Sequence, residues 1–184
     1  MSGTGGVHPR FANAIGLVQT ALRMAAFTDP DVRFLREAIA LARAGAAEGM
    51  GGPFGAVVVC AGRIVGRGQN RVTSTNDPTA HAEVVALRDA CAARGRFHLT
   101  GATLYTSCEP CPMCLAAAYW AHIERIVFAC TRDDAAAIGF DDAFLYRELV
   151  APPAERRVPE IPLLRDEGLV VFREWTANPR RTPY

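Results

Sequence analysis

Two short motifs constrain this chain more than anything else in it: His81-Ala82-Glu83 and Pro110-Cys111-Pro112-Met113-Cys114. Cys111 and Cys114 stand at i and i+3, so one helical turn projects both sulfurs from a single face. Zinc favours four tetrahedral ligands, and a catalytic zinc site keeps one position for water. His81, Cys111 and Cys114 supply three ligands, one short of a closed structural site. A fold that uses all three must bring two segments, well apart in sequence, onto one ion. Glu83 is the companion group, a carboxylate placed to move a proton at the open position without binding the metal.

Plainer readings of the same residues stay open at this point. A lone C-x-x-C also suits a redox dithiol. A structural zinc would need a fourth ligand; Cys108, three residues before Cys111, is the nearby spare, and the chain has no separate second C-x-x-C and no H-x3-H pair. Cys108, ahead of Pro110, reads as a packed thiol at a strand end.

Length and charge narrow the classes. The 184 residues suffice for about one domain with a buried core. A net charge of +1 argues against gripping nucleic acid through a strongly basic surface, and all 20 basic residues are arginine, which reads as a bias of composition. Cys60, Cys91 and Cys130 lie in apolar stretches typical of buried free thiols. Two metal-binding thiolates that must stay reduced point to a cytoplasmic setting. No apolar run approaches about 18 residues, so no membrane span is expected. Residues 1–28 contain no acid and carry Arg10 and Arg23. They read as a disordered amino-terminal extension, weakly similar to a transit peptide.

Along the rest of the chain the pattern is compact. Asp29-Pro30 suits the start of a helix, continued by Val32, Leu35, Ile39, Ala42 and Ala46 until Gly49. Phe54 to Cys60 and Ile64 to Gly68 read as a hairpin turning at Gly62. A polar loop, 70–79, precedes a helix beginning near Ala80. Ala102 to Thr106 is a strand, Cys111 to His122 a helix, Arg125 to Cys130 a strand, and a further helix begins near Asp133. The β-β-α-β-α-β order predicts a mixed sheet covered by helices on both faces. Prolines 152, 153, 159 and 162 mark a looser arm before an amphipathic segment at Leu169, Phe172 and Trp175. The expected division is 1–28, 29–150 for the domain and 151–184 for a carboxy-terminal arm and helix. His81 and Cys111 each open a helix, and the positive ends of those helices favour thiolates and hydroxide.

H-x-E followed by P-C-x-x-C is the signature of zinc nucleobase deaminases. The wider sequence resembles guanine deaminases of the cytidine-deaminase fold. The likeness rests on Gly51-Gly52-Pro53-Phe54-Gly55-Ala56-Val57, Asn76 through Glu83, Tyr105 through Leu115, Tyr119-Trp120 and Gly139-Phe140-Asp141-Asp142. Phe144, Tyr146 and the terminal Tyr184 add to it. The resemblance implies a three-layer α/β/α domain around a mixed five-stranded sheet and one zinc ion per subunit. It also implies a homodimer with exchanged carboxy-terminal segments, a small nucleobase substrate, and neither a membrane nor a nucleic-acid partner.

Residue by residue, the resemblance implies that Asn70 hydrogen-bonds the purine and that Phe54 and Trp120 line its faces. Ala82 would offer a backbone N–H beside the metal. Glu83 would work on the water side and Asp142 on the departing amine. Tyr184 would reach the partner subunit's site, although Arg180-Arg181-Thr182-Pro183 ahead of it departs from the family. The expected reaction is hydrolysis of guanine to xanthine and ammonia. Alternatives are guanosine, another aminopurine or a triazine, a tRNA adenosine deaminase using Arg156-Arg157 and Arg180-Arg181, and a zinc or redox module without catalysis.

Overall fold

The computed structural model describes residues 29–183. Helix α1 spans Asp29–Ala47, strands β1 and β2 span Gly55–Cys60 and Arg63–Gln69, and a single turn of helix, α2, covers Val72–Thr75. Then follow α3 (Ala82–Arg94), β3 (Ala102–Cys108), α4 (Pro112–Trp120), β4 (Arg125–Cys130), α5 (Arg132–Ala137), α6 (Ala143–Val150) and α7 (Arg165–Ala177). The sheet order is β2-β1-β3-β4. β1 is antiparallel to both its neighbours, whereas β3 and β4 are parallel, with Thr103 beside Arg125 and Cys108 beside Cys130.

The nearly continuous apolar run of β1 is explained by burial on both faces. Val57 and Val59 point to one side, where they pack with Phe34 of α1, Tyr105 and Val127. Ala56 and Val58 point to the other, into a core shared with Ala82, Ala86, Leu87, Leu104 and Ala118. The three layers are thus α1, the sheet, and α3 with α4. The hairpin turns through Ala61 and Gly62, both at positive φ (48° and 72°), as a two-residue turn with the strands' twist requires. On the α1 side Tyr105 donates its hydroxyl to Asp31, and Arg125 bonds the same carboxylate. Asp31 and Tyr105 are buried and Arg125 covers them from the surface, so the trio ties the first helix to β3 and to the edge strand β4.

Close approach of α3 to β2 is what aims the first motif. A Cβ on Gly68 would stand 2.1 Å from the carbonyl oxygen of Ala82, and one on Gly66 2.4 Å from that of Ala86. Glycines on the strand and alanines at 82, 86 and 90 on the helix let the two backbones nearly touch. The N-terminus of α3 is thereby set against the carboxyl end of β3, where the second motif starts.

The expected five-stranded sheet is corrected to four strands among the described residues. The physical reason lies just past β4. Thr131 and Asp134 form a reciprocal capping box, which stabilises a helix start and commits the chain to α5. Helices α6 and α7 follow in place of a strand. The loop at 70–79 also contains the α2 turn, with Asn76 in the left-handed region at its end. Residues 1–28 and Tyr184, with the roles expected of them, lie outside the described residues.

Candidate active site

Both motifs sit at helix starts. His81 is the N-cap of α3 and Cys111 the N-cap of α4, where Pro112 takes the first helical position. The His81 Nδ1 lies 3.5 Å from Cys111 Sγ and 3.5 Å from Cys114 Sγ, and the three donor atoms all lie within 4.8 Å of one another. Tetrahedral zinc with Zn–N of ~2.05 Å and Zn–S of ~2.3 Å places N and S ligands ~3.6 Å apart. The residues therefore fit the ion. Among the described residues this is the one such group of histidine, cysteine and acidic side chains.

The electrostatics agree with the geometry. Hydrogen bonds from Cys114 and then from His81 hold the Cys111 thiol at about 4. The hydrogen bond to Cys111, followed by burial, pushes the Cys114 thiol upward. The two sulfurs share one hydrogen bond, which lowers the first thiol and raises the second, and a bound dication would favour the thiolate form of both. His81 is raised, chiefly by its hydrogen bond with Cys111. Cys108 behaves differently: burial lifts its thiol to about 11, and its Sγ donates to the Thr131 carbonyl at 3.4 Å. It is the packed strand-end thiol that its position suggests.

Around the ligands, Phe54, Asn70, His81, Glu83, Cys108, Glu109, Cys111, Ala135, Phe140 and Asp142 line a cleft. Glu83 is buried (6% exposed), and desolvation raises its carboxyl. Asp142 is raised as well, first by burial and then by the charge of Cys111. Two carboxyl groups shifted toward neutrality in one cleft suit proton transfer near neutral pH. The Asp141-Asp142 pair is divided by task. Asp141 accepts the Ala143 amide at 2.8 Å, while Asp142 makes no capping bond and lines the cleft.

Asn70 is oriented from behind. Its Oδ1 accepts the amides of Gly52 and Val72, each at 3.2 Å, which leaves the amide's NH2 end for the cleft that Asn70 lines. The loop can wrap so closely because residue 51 is glycine; a Cβ there would lie 2.2 Å from that oxygen. Phe54 meets Phe140 edge-on, with ring centroids 4.9 Å apart and planes at 88°, forming an apolar corner.

Ala82 is the first residue of α3 and fully buried, so its side chain offers nothing but its place at a helix N-terminus. Trp120 departs from its expected position. It ends α4, nine residues beyond Cys111 and so ~13 Å further along the helix. There it is 66% exposed and joins Val84, Leu87, Cys91 and Phe97 around a separate apolar groove. Phe140, Glu109 and Ala135 are cleft residues that the sequence reading passed over. Phe140 stands near Asp142 in the quoted Gly-Phe-Asp-Asp, and Glu109 immediately precedes the second motif, so both had a signal. Ala135 had none.

Residues 28–130 match the model of the cytidine and deoxycytidylate deaminase zinc-binding region. The chain is similar to guanine deaminase of Bacillus subtilis, 51% identical over 142 residues, which cover 77% of this chain and 91% of that protein. It is also similar to an X-ray structure of guanine deaminase from Bacillus subtilis. The TM-score is 0.80 at 48% identity, covering 83% of this chain and 97% of that one. Similarity to the tRNA-specific adenosine deaminase of Agrobacterium fabrum is 49% over 76 residues, covering 41% of this chain and 50% of that protein.

Proposed function

The chain belongs to the zinc-dependent cytidine and deoxycytidylate deaminase family, and from that premise we propose that it hydrolyses guanine to xanthine and ammonia. The observation that carries the substrate is the reach of the similarity. The match to the guanine deaminase runs over 142 residues, longer than the zinc-binding region at 28–130. The matches to tRNA-specific adenosine deaminases run over 76 to 98 residues. A small cleft with an amide donor, two aromatic walls and two carboxyls suits a flat, polar heterocycle.

His81, Cys111 and Cys114 would hold the zinc ion. The chemistry it supplies there is Lewis-acid acidification of water toward neutral pH. Glu83 takes the proton of the attacking water and returns it to the ring nitrogen next to C2. Burial keeps this carboxyl basic enough to accept the proton and acidic enough to give it back. Asp142 delivers a proton to the amine that leaves C2 and is restored by the proton that the C2 hydroxyl sheds on becoming the carbonyl. Asn70 donates from its amide to an acceptor on the ring, and Phe54 with Phe140 excludes water from the ring edges. Ala82 would present its amide at the positive end of α3.

The proposal extends to the assembly. A homodimer would cover the apolar α3–α4 groove at Trp120 and the arm of residues 151–184, with Tyr184 reaching the partner subunit's cleft. A purine-catabolic role in a reducing cytoplasm accords with thiols that must remain free. Against nucleic-acid binding, Arg156 is engaged by Glu160 and by the carbonyls of Ala151 and Leu149, and Arg181 by the Thr176 carbonyl.

The test is ammonia release from guanine, guanosine, adenine, cytosine and a tRNA anticodon stem-loop by the zinc-loaded protein. Guanine should be turned over at least tenfold faster than any other substrate. Preference for guanosine or for the stem-loop would overturn the reading.

A further inference from the structure

Asp142 sits immediately before α6, a helix that contributes no buried residue. Apolar burial therefore supplies little that would hold the helix, or the carboxyl at its start, against the metal half of the cleft. Specific contacts have to do so. Tyr146, one helical turn beyond Asp142 and on the same face, donates its hydroxyl to the carbonyl of Pro110 at 3.3 Å. Pro110 immediately precedes the ligand Cys111. The guanidinium of Arg132 lies 4.6 Å from the centroid of the same tyrosine ring, a cation–π contact. Arg132 is itself fixed, its guanidinium 2.9 Å from one oxygen of Glu109 and its backbone amide donating to the other at 3.1 Å. Glu109 thus lines the cleft but spends both oxygens on Arg132.

The geometry points to Tyr146 as a positioning residue for Asp142, clamped between Pro110 and the Arg132–Glu109 pair so that α6 presents its carboxyl to the metal-binding loop. The clamp joins the two halves of the site through the segment that carries Cys111. It complements Phe140, which leans on Phe54 two residues to the other side of Asp142. Tyr146 itself does not line the cleft.

The kinetic part of the test rests on the guanine deaminase reading; the exchange part does not. Tyr146→Phe keeps the ring over which Arg132 lies and removes the hydroxyl. Its kcat on guanine should fall roughly 2- to 13-fold, the equivalent of one hydrogen bond, with KM and zinc content unchanged. Tyr146→Ala should fall further. In an Asp142→Asn background, Tyr146→Phe should change kcat less than twofold, because a residue acting through Asp142 has nothing left to position. Hydrogen–deuterium exchange over residues 142–150 should rise in Tyr146→Phe while that over residues 112–120 stays the same. Full additivity of the two substitutions, or loss of zinc in Tyr146→Phe, would overturn the clamp. Unchanged exchange over 142–150 would overturn it whether or not the protein turns over guanine, whereas a wild type inactive on guanine refutes the functional reading alone.

Discussion

Gly68→Ala tests whether close helix–strand packing aims the metal site. The added methyl would lie 2.1 Å from the Ala82 carbonyl oxygen, 2.5 Å from the Ala86 amide nitrogen and 3.1 Å from the Val85 Cβ. Two of these neighbours are backbone, so no flexible side chain can give way. Restoring an ordinary contact of 3.4 Å means moving the start of α3 by 3.4 − 2.1 = 1.3 Å. Ala82 is bonded to His81 on one side and Glu83 on the other, so both cleft residues move with it. Displacements of ~1 Å cost on the order of 100-fold in rate, and overpacking costs roughly 1–3 kcal/mol of stability. We expect kcat/KM on guanine to fall about 100-fold, zinc affinity to weaken, and the melting temperature to drop by roughly 2–12 °C. Gly168→Ala is the control: it lies in α7 with nothing within 4 Å of the new methyl. It should gain about 0.5–1 kcal/mol from helix propensity with activity intact. Wild-type kcat/KM and zinc stoichiometry in Gly68→Ala would refute the packing argument.

Four further outcomes are expected. Glu83→Gln should keep stoichiometric zinc by atomic absorption yet lose about 10²–10⁴-fold in kcat; retention of most turnover would remove Glu83 from the chemistry. Asn70→Ala orphans the amides of Gly52 and Val72, so unfolding should become easier by roughly 1–3 kcal/mol and KM should rise, whereas an unchanged KM would deny Asn70 its ligand. Chelation should abolish ammonia release and lower the melting temperature, and zinc but not magnesium should restore both, since two thiolates and an imidazole select the softer ion. Burial, then the hydrogen bond to Asp31, raises the Tyr105 phenol from 10.0 to about 12. The folded chain therefore keeps a proton that the unfolded chain has lost between those values. That stability is full below pH 10 and declines toward pH 12, and equal alkaline slopes for wild type and Tyr105→Phe would contradict it.

Periodicity and punctuation carried most of the elements. The Ala61-Gly62 turn, the paired strands around it and the helices after His81 and Cys111 were all legible, because turn chemistry and helix starts are local. The fifth strand was implied by the resemblance alone; the residues themselves read as a helix near Asp133, which Thr131 and Asp134 cap. Long-range effects hid the rest. Which of Asp141 and Asp142 caps α6 depends on the direction in which the chain enters the helix. That Phe140 rather than Trp120 forms the aromatic corner with Phe54 depends on how far α4 carries its last residue from the metal.

The reaction type was settled by the sequence itself. One imidazole, two thiolates at i and i+3, and a carboxylate two residues from the histidine match the signature of zinc nucleobase deaminases, and helix spacing, a local property, puts both sulfurs on one face. Tertiary structure decided what that site faces. Packing between segments, the glycine–alanine contact of β2 with α3 among it, brings Asn70, Phe54, Phe140 and Asp142 around one cleft with His81 and Cys111. Those distances arise from packing between segments far apart in the chain, and no local pattern encodes them.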